Sequence, residues 1–291
     1  MGWLDRIAEC NRHNLSGFLP FEVGETRIGW VRRSLAERLA ERPEVFAAGA
    51  ERVDFAAGLD TPERRSAALA EVVRDWHGSG LLRRVSGELL AIGANVAKPP
   101  LFLIDRSAVQ AFGFSAVGVH VNGYVRRPDG LHVWIAERAA GRHSYPGMLD
   151  NVVAGGQPAG LSLRENVVKE AAEEAGIPQA LAERARPAGA VTYCLETDAG
   201  LRPDILYVYD LELPAGFQPC NTDGEVAHFE LWPAARLAAT VRDTTRFKFN
   251  CNLVIIDFLI RRGVLGPEDP DYPAILAGLR PALPIDPWRL W

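Results

Sequence analysis

The sequence predicts an α/β (α+β) protein: an α/β/α sandwich with a mixed sheet over residues 114–291, ending in a helical extension, behind a smaller N-terminal α+β domain over residues 1–113. Three observations predict it. Val117–Val125 and Leu131–Ala136 alternate apolar and polar with period two, and Pro128-Asp129-Gly130 between them is a turn signal, so the two runs read as a hairpin. A helix with clear start and stop signals, Ser162 to Ala175, falls between strand runs rather than alternating with them, which suits a sandwich better than a repeating βαβ array. The texture changes near Gly113, where short mixed elements give way to long alternating ones.

The N-terminal elements follow from local signals. Trp3–Asn11 reads as a helix, and Phe21–Arg32 as strand with a glycine-containing turn. Ser34 is a candidate N-cap for a helix over Leu35–Glu41. Thr61-Pro62-Glu63 opens a longer helix reaching about Trp76: threonine caps, proline suits the first turn, and Ala67, Leu69, Ala70, Val72 and Val73 supply apolar faces. Leu81–Gly93 reads as a hairpin, Lys98-Pro99-Pro100 as a break, and Asp105–Phe112 as helix. After the central hairpin come a glycine-rich loop, the capped helix, strands over Val191–Leu195 and Ile205–Leu213, and a strand over Glu225–Trp232. Helices over about Pro233–Val241 and Asn250–Arg262 close the reading.

Bulk composition narrows the function classes. With 291 residues, 48% hydrophobic and 24% charged, the chain can bury a sizeable core and is not a disordered segment. A net charge of -5 argues against nucleic acid or an anionic membrane as partner, while leaving room for a local phosphate pocket. Cys10, Cys194, Cys220 and Cys251 form no CxxC pair, so zinc and redox motifs are unsupported and a reducing, cytoplasmic setting is expected. The first residues lack a signal-peptide stretch, Arg6 disfavours myristoylation after Gly2, and no apolar run is long enough to span a membrane. Oligomeric state is not legible. Among 32 basic residues only Lys98, Lys169 and Lys248 are lysines, so each lysine departs from a default of arginine.

The chemistry concentrates in Gly155-Gly156-Gln157-Pro158-Ala159-Gly160-Leu161 and the helix that follows. Ser162 and Glu165 form a capping box, and Gly176 before Ile177-Pro178 stops the helix. Glu170, Glu173 and Glu174 stand at i, i+3 and i+4, which places three carboxylates on one face. Such a cluster repels itself unless a cation sits in it, and hard oxygen ligands suit Mg²⁺ or Mn²⁺, which in turn bind phosphate oxygens. Gly155 and Gly156 permit close backbone approach to the same place.

These residues resemble the Nudix family, whose signature is G-x5-E-x7-R-E-U-x-E-E-x-G-U, with U a bulky aliphatic residue. Gly155, Glu170, Glu173, Glu174, Gly176 and Ile177 match it. Leu161 stands at the first glutamate, Lys169 at the arginine, and Ala171 is a small form of the aliphatic position. Glu165, four residues before Lys169, is a candidate partner for it. The flanks Trp134–Arg138, Tyr145–Gly156, Asp223–Val226 and Phe247–Gly263 resemble the branch related to the Nudix domain associated with thiamine pyrophosphokinase, so the resemblance covers nearly the whole chain. It implies hydrolysis of a small-molecule diphosphate to a monophosphate and phosphate, with thiamine diphosphate, its oxidised forms or a nucleoside diphosphate derivative as substrate.

The residues carry these roles. Glu170, Glu173 and Glu174, with Gly155, would hold metal; Glu170 or Glu225 would orient or deprotonate the attacking water. Arg138, Lys169 and Lys248 are candidates for phosphate contacts, beside Gly155 and Gly156. Tyr145 or one of Trp3, Trp30, Trp76, Trp134, Trp232, Trp288 and Trp291 is a candidate for stacking on a substrate ring. His120 and His143 read as structural, and Cys194 as a core residue. Two rival functions remain. A non-catalytic sensor would not need the repelling carboxylates, and an isoprenoid diphosphate isomerase needs a cysteine paired with a glutamate.

Overall fold

A computed structural model describes residues 1–93 and 99–286; Lys98, Trp288 and Trp291 lie outside the described residues. The N-terminal part runs α1 (Trp3–Cys10), β1 (Phe18–Val23), β2 (Thr26–Arg32), α2 (Arg33–Leu39), β3 (Phe46–Ala48), β4 (Val53–Phe55), α3 (Pro62–Gly78), β5 (Leu89–Ile92), β6 (Phe102–Asp105) and α4 (Arg106–Val109). The rest runs β7 (Val117–Arg127), β8 (Gly130–Arg138), β9 (Leu149–Asn151), β10 (Val153–Gly156), α5 (Leu163–Ala175), α6 (Gln179–Ala182), β11 (Arg186–Thr197), β12 (Gly200–Glu212), β13 (Val226–Pro233), α7 (Ala234–Asp243), α8 (Cys251–Arg261) and α9 (Tyr272–Gly278).

The large sheet has the order β11-β12-β7-β8-β13, mixed because β12 and β7 are parallel. β7 is its fork. One edge of it pairs with β12 from Val117 to Tyr124. The other edge is divided: Gly118–Val121 pairs with β10, and Tyr124–Arg127 with β8. Alternation then sorts the side chains. Val119, Val121 and Val125 pack with Val167, Ala171 and Ala175 of α5. Tyr124 faces the other way, into a core with Leu253, Val254 and Phe258 of α8. Both faces are covered, which is the predicted sandwich. Helix α1 joins the α8 layer through Trp3, Ile7 and Cys10.

The smaller sheets, β2-β1-β4-β3 and β5-β6, share a separate core with α3. Aromatic rings dominate it: Phe21 meets Phe55 and Phe114 edge-on at centroid distances of 5.2 and 5.1 Å, and Trp76 stacks on Phe112 at 5.0 Å.

Helix α5 forms as its end signals require. The Ser162 hydroxyl accepts from Glu165 N, the Glu165 carboxylate accepts from Ser162 N, and Gly176 adopts φ 58° at the C-terminus. Thr61 caps α3 in the same way by accepting from Arg64 N. Two expectations are corrected. Residues 81–88 contain no strand; Leu81 and Val85 stay exposed and Leu82 alone of this stretch packs against the N-terminal core, so it has no alternating apolar face, and β5 pairs instead with β6. Helix α2 begins at Arg33, with no side-chain cap from Ser34. The short strands β9 and β10 occupy part of the expected glycine-rich loop, and their pairing with β8 and β7 gives that loop a fixed backbone. Among the described residues no helix is long and apolar enough to cross a membrane.

Candidate active site

Strand β10 and helix α5 are joined by carboxylates. Glu170 lies against the bare Cα of Gly155: a Cβ built there would stand 2.3 Å from the Glu170 Cδ, a distance no real pair tolerates. One turn on, the Glu174 carboxylate accepts from Ala154 N at 2.7 Å. Both side chains are largely buried, whereas Glu173 faces solvent. Burial pushes Glu174 up to about 8; the neighbouring Asp150 and Glu170 charges add to this, against the Ala154 amide and Lys248. Burial also raises Glu170, opposed by Lys169. A divalent cation would remove the cost of keeping these groups ionised together, so the donor set fits a hard metal ion such as Mg²⁺ or Mn²⁺.

Lys169 sits among these acids, bonded to Glu173 at 2.6 Å and Glu170 at 3.1 Å. The expected Glu165–Lys169 pair does not form, because the Glu165 carboxylate is engaged by the capping box. Leu161 points outward, 37% exposed, and its carbonyl accepts from Gln157 Nε2 at 2.7 Å. Buried Asn166 donates to Gly156 O at 2.8 Å. Asn166 thus ties the helix to the end of β10, and Gln157 closes the loop between them on itself.

Asp150 is the hub of a second, buried cluster. It accepts from Arg138 Nη1 at 3.0 Å, the Cys251 thiol at 2.7 Å and Lys248 Nζ at 3.4 Å. Burial pushes its pKa up, but Lys248, His120, the thiol and Arg138 together hold it near 2. The Nε and Nη2 of Arg138 donate to the carbonyls of Ser144 and Tyr145. Arg138 is thus buried with its donors engaged, and it holds the loop in which Tyr145 takes φ 54°. Tyr145 is half-buried against Phe249, ring centroids 5.5 Å apart. Possible ligand atoms of His120, Asp150 and Cys251 lie within 4.8 Å of one another. Two cations already balance Asp150, and His120 Nδ1 lies 2.9 Å from Asn151 Oδ1, so this trio is satisfied without an ion. Burial, with Lys248, lowers the His120 pKa to about 4.

Glu225 is half-buried, and the exposed end of the Arg138 loop returns to it: Arg142 forms an ion pair with its carboxylate, and Ala139 N donates to its carbonyl at 2.9 Å. Nothing in the sequence sets Arg142 or Arg106 apart, since arginine is this chain's ordinary basic residue. A Cβ on Gly156 would stand 3.4 Å from the Arg106 Cζ, and Arg106 pairs with Glu88 at 2.8 Å. His143 is exposed and Cys194 buried, its thiol pushed up to about 12 by burial. A cleft of about 450 Å³ among Tyr124, Arg186, Asp210, Glu212, Arg261 and Arg262 contains none of the carboxylates of α5.

Residues 2–116 match a family described as a domain of unknown function (DUF4743). Over 283 residues the chain is 40% identical to a protein of Arabidopsis thaliana named Nudix hydrolase 24, chloroplastic, covering 96% of this chain and 78% of that one. It is 39% identical over 290 residues to Nudix hydrolase 20, chloroplastic, of the same plant, with the same coverage. Among solved structures, the NUDIX domain of Shewanella oneidensis NrtR complexed with ADP ribose superposes with a TM-score of 0.41 at 16% identity, covering 53% of this chain and 92% of that one.

Proposed function

Since the chain belongs to the Nudix hydrolase family, we propose that it cleaves the diphosphate of a small molecule to a monophosphate and phosphate with Mg²⁺ or Mn²⁺ held by Glu170, Glu173, Glu174 and the Gly155 backbone. The observation that carries this is the pair of buried carboxylates, Glu170 and Glu174, pressed onto Gly155 and Ala154. A bound divalent cation would neutralise phosphate oxygens and lower the pKa of an attacking water.

The chain's own residues do the rest. Water attacks phosphorus as the bridging P–O bond breaks, and its proton passes to a carboxylate, Glu170 or Glu225. Glu225 is kept in place by Arg142. Lys248 lies at the edge of the buried cluster, less than a fifth exposed, and Lys169 between Glu170 and Glu173; both bring positive charge towards the phosphates. Arg138 acts at one remove by holding the 139–147 loop.

The substrate class rests on the flanking segments Trp134–Arg138, Tyr145–Gly156, Asp223–Val226 and Phe247–Gly263, which resemble the branch related to the Nudix domain associated with thiamine pyrophosphokinase. Thiamine diphosphate-like compounds, including oxidised forms, are therefore placed first and nucleoside diphosphate derivatives second, with Tyr145 the candidate ring contact. The four free cysteines support a reducing compartment. The test is phosphate release from such a panel with Mg²⁺. A protein that binds these compounds and releases nothing is the sensor, not the hydrolase.

A further inference from the structure

A diphosphate brings negative charge to a site already crowded with carboxylates, so cations beyond the metal must face it. Lys169 is bonded to Glu170 and Glu173, and Arg138 is committed to Asp150 and the loop carbonyls. Two further arginines flank α5 and β10. Arg142 is held by Glu225, and Arg106 by Glu88.

The ground under Arg106 is built. Buried Asp105 ends β6 and accepts from Ser86 N, Gly87 N and Ser107 N, at 3.1, 2.8 and 2.9 Å. That fixes the turn carrying Glu88 to the start of α4, and Arg106 N donates to Glu88 O at 2.9 Å. The same block grips the loop before α5, because Ala159 N donates to Leu89 O at 2.8 Å. The Arg106 guanidinium then lies over Gly156, next to the glycine that admits Glu170. Its side chain is 54% exposed. An exposed Arg–Glu pair is weak and exchangeable, whereas a phosphate offers the planar guanidinium two oxygens and more charge.

We propose that Arg106, from the N-terminal part of the chain, is a phosphate-binding residue of the α5 site and acts with Arg142 on the substrate diphosphate. This rests on the hydrolase reading. Arg142 is near enough for the Arg106 charge to depress its pKa, after burial and Arg138. The site is therefore completed by both parts of the chain, and residues 1–113 supply a binding group rather than only a support.

The experiment uses the full chain and two readouts: steady-state hydrolysis of thiamine diphosphate, or whichever panel compound is cleaved, and calorimetric binding of methylenediphosphonate with Mg²⁺. Arg106→Ala is expected to raise KM roughly tenfold or more with little change in kcat, and to weaken methylenediphosphonate binding alike. Glu88→Gln frees the guanidinium and is expected to lower KM. A purely structural ion pair would instead make the two variants raise KM together, and that result overturns the proposal, as does an unchanged KM in Arg106→Ala. A wild-type chain that hydrolyses nothing but binds methylenediphosphonate through Arg106 overturns the hydrolase reading alone. A chain that does neither overturns both.

Discussion

The Glu170 carboxyl occupies the space that a side chain on Gly155 would fill: a Cβ there would meet the Glu170 Cδ at 2.3 Å and Oε1 at 2.7 Å. Gly155→Ala must therefore push Glu170 off β10 or push α5 away from the sheet. The expected outcome is loss of hydrolysis with a stability cost of about 1–3 kcal/mol, the usual range for overpacking. Kinetics and thermal unfolding check it; wild-type kcat in this variant would show that Glu170 is not needed where it lies.

Asp150→Asn should be among the most damaging single changes outside α5. It removes the anion that Arg138, Lys248 and the Cys251 thiol all address in a buried setting. Leaving two cations without their partner is expected to cost about 3–5 kcal/mol in chemical denaturation. Cys251→Ser, which keeps a donor to Asp150, should cost far less.

Lys169→Arg should lower activity. The lysine ammonium reaches both Glu170 and Glu173 as a compact charge, and a planar guanidinium presents a different geometry to them. Its effect on stability should stay below about 1 kcal/mol, because the ammonium is partly exposed. Unchanged kcat and KM in Lys169→Arg would show that any cation serves at this position.

Acid should destabilise the protein through His120. Its folded pKa is near 4, against 6.5 for the free side chain, so the unfolded chain binds a proton that the folded one refuses. Stability is then lost as pH falls from about 6.5 through 4, by about 3 kcal/mol at most. Glu174, held near 8, works in the opposite sense between about 4.5 and 8. The comparison is therefore wild type against His120→Gln: the variant should show a flatter loss between pH 6.5 and 4. Parallel curves would place the acid sensitivity elsewhere.

What could be read from the sequence was local. The i, i+3, i+4 carboxylates, the Ser162–Glu165 box and Gly176 all fall within one stretch of helix and its ends, so spacing alone oriented them. The hairpin of β7 and β8 was legible for the same reason, through period two and Pro128-Asp129-Gly130. Contacts closed across the fold were not. Asp150 meets Cys251 across 101 positions, and Arg106 reaches Gly156 from the N-terminal part. The charge of Arg138 is visible in the sequence, but the four carbonyl or carboxylate contacts that hold it are not. No sequence signal distinguishes Arg106 and Arg142, because arginine is this chain's ordinary basic residue.

The most direct measurement is phosphate release by the wild-type chain and by Glu174→Gln, with Mg²⁺, from a panel including thiamine diphosphate, its oxidised analogues and nucleoside diphosphate derivatives. The predicted result is release from at least one compound that collapses in Glu174→Gln, by at least about a hundredfold if that carboxylate holds the metal. No release from any compound contradicts the hydrolase reading, and release undiminished in Glu174→Gln contradicts the assignment of the metal to α5.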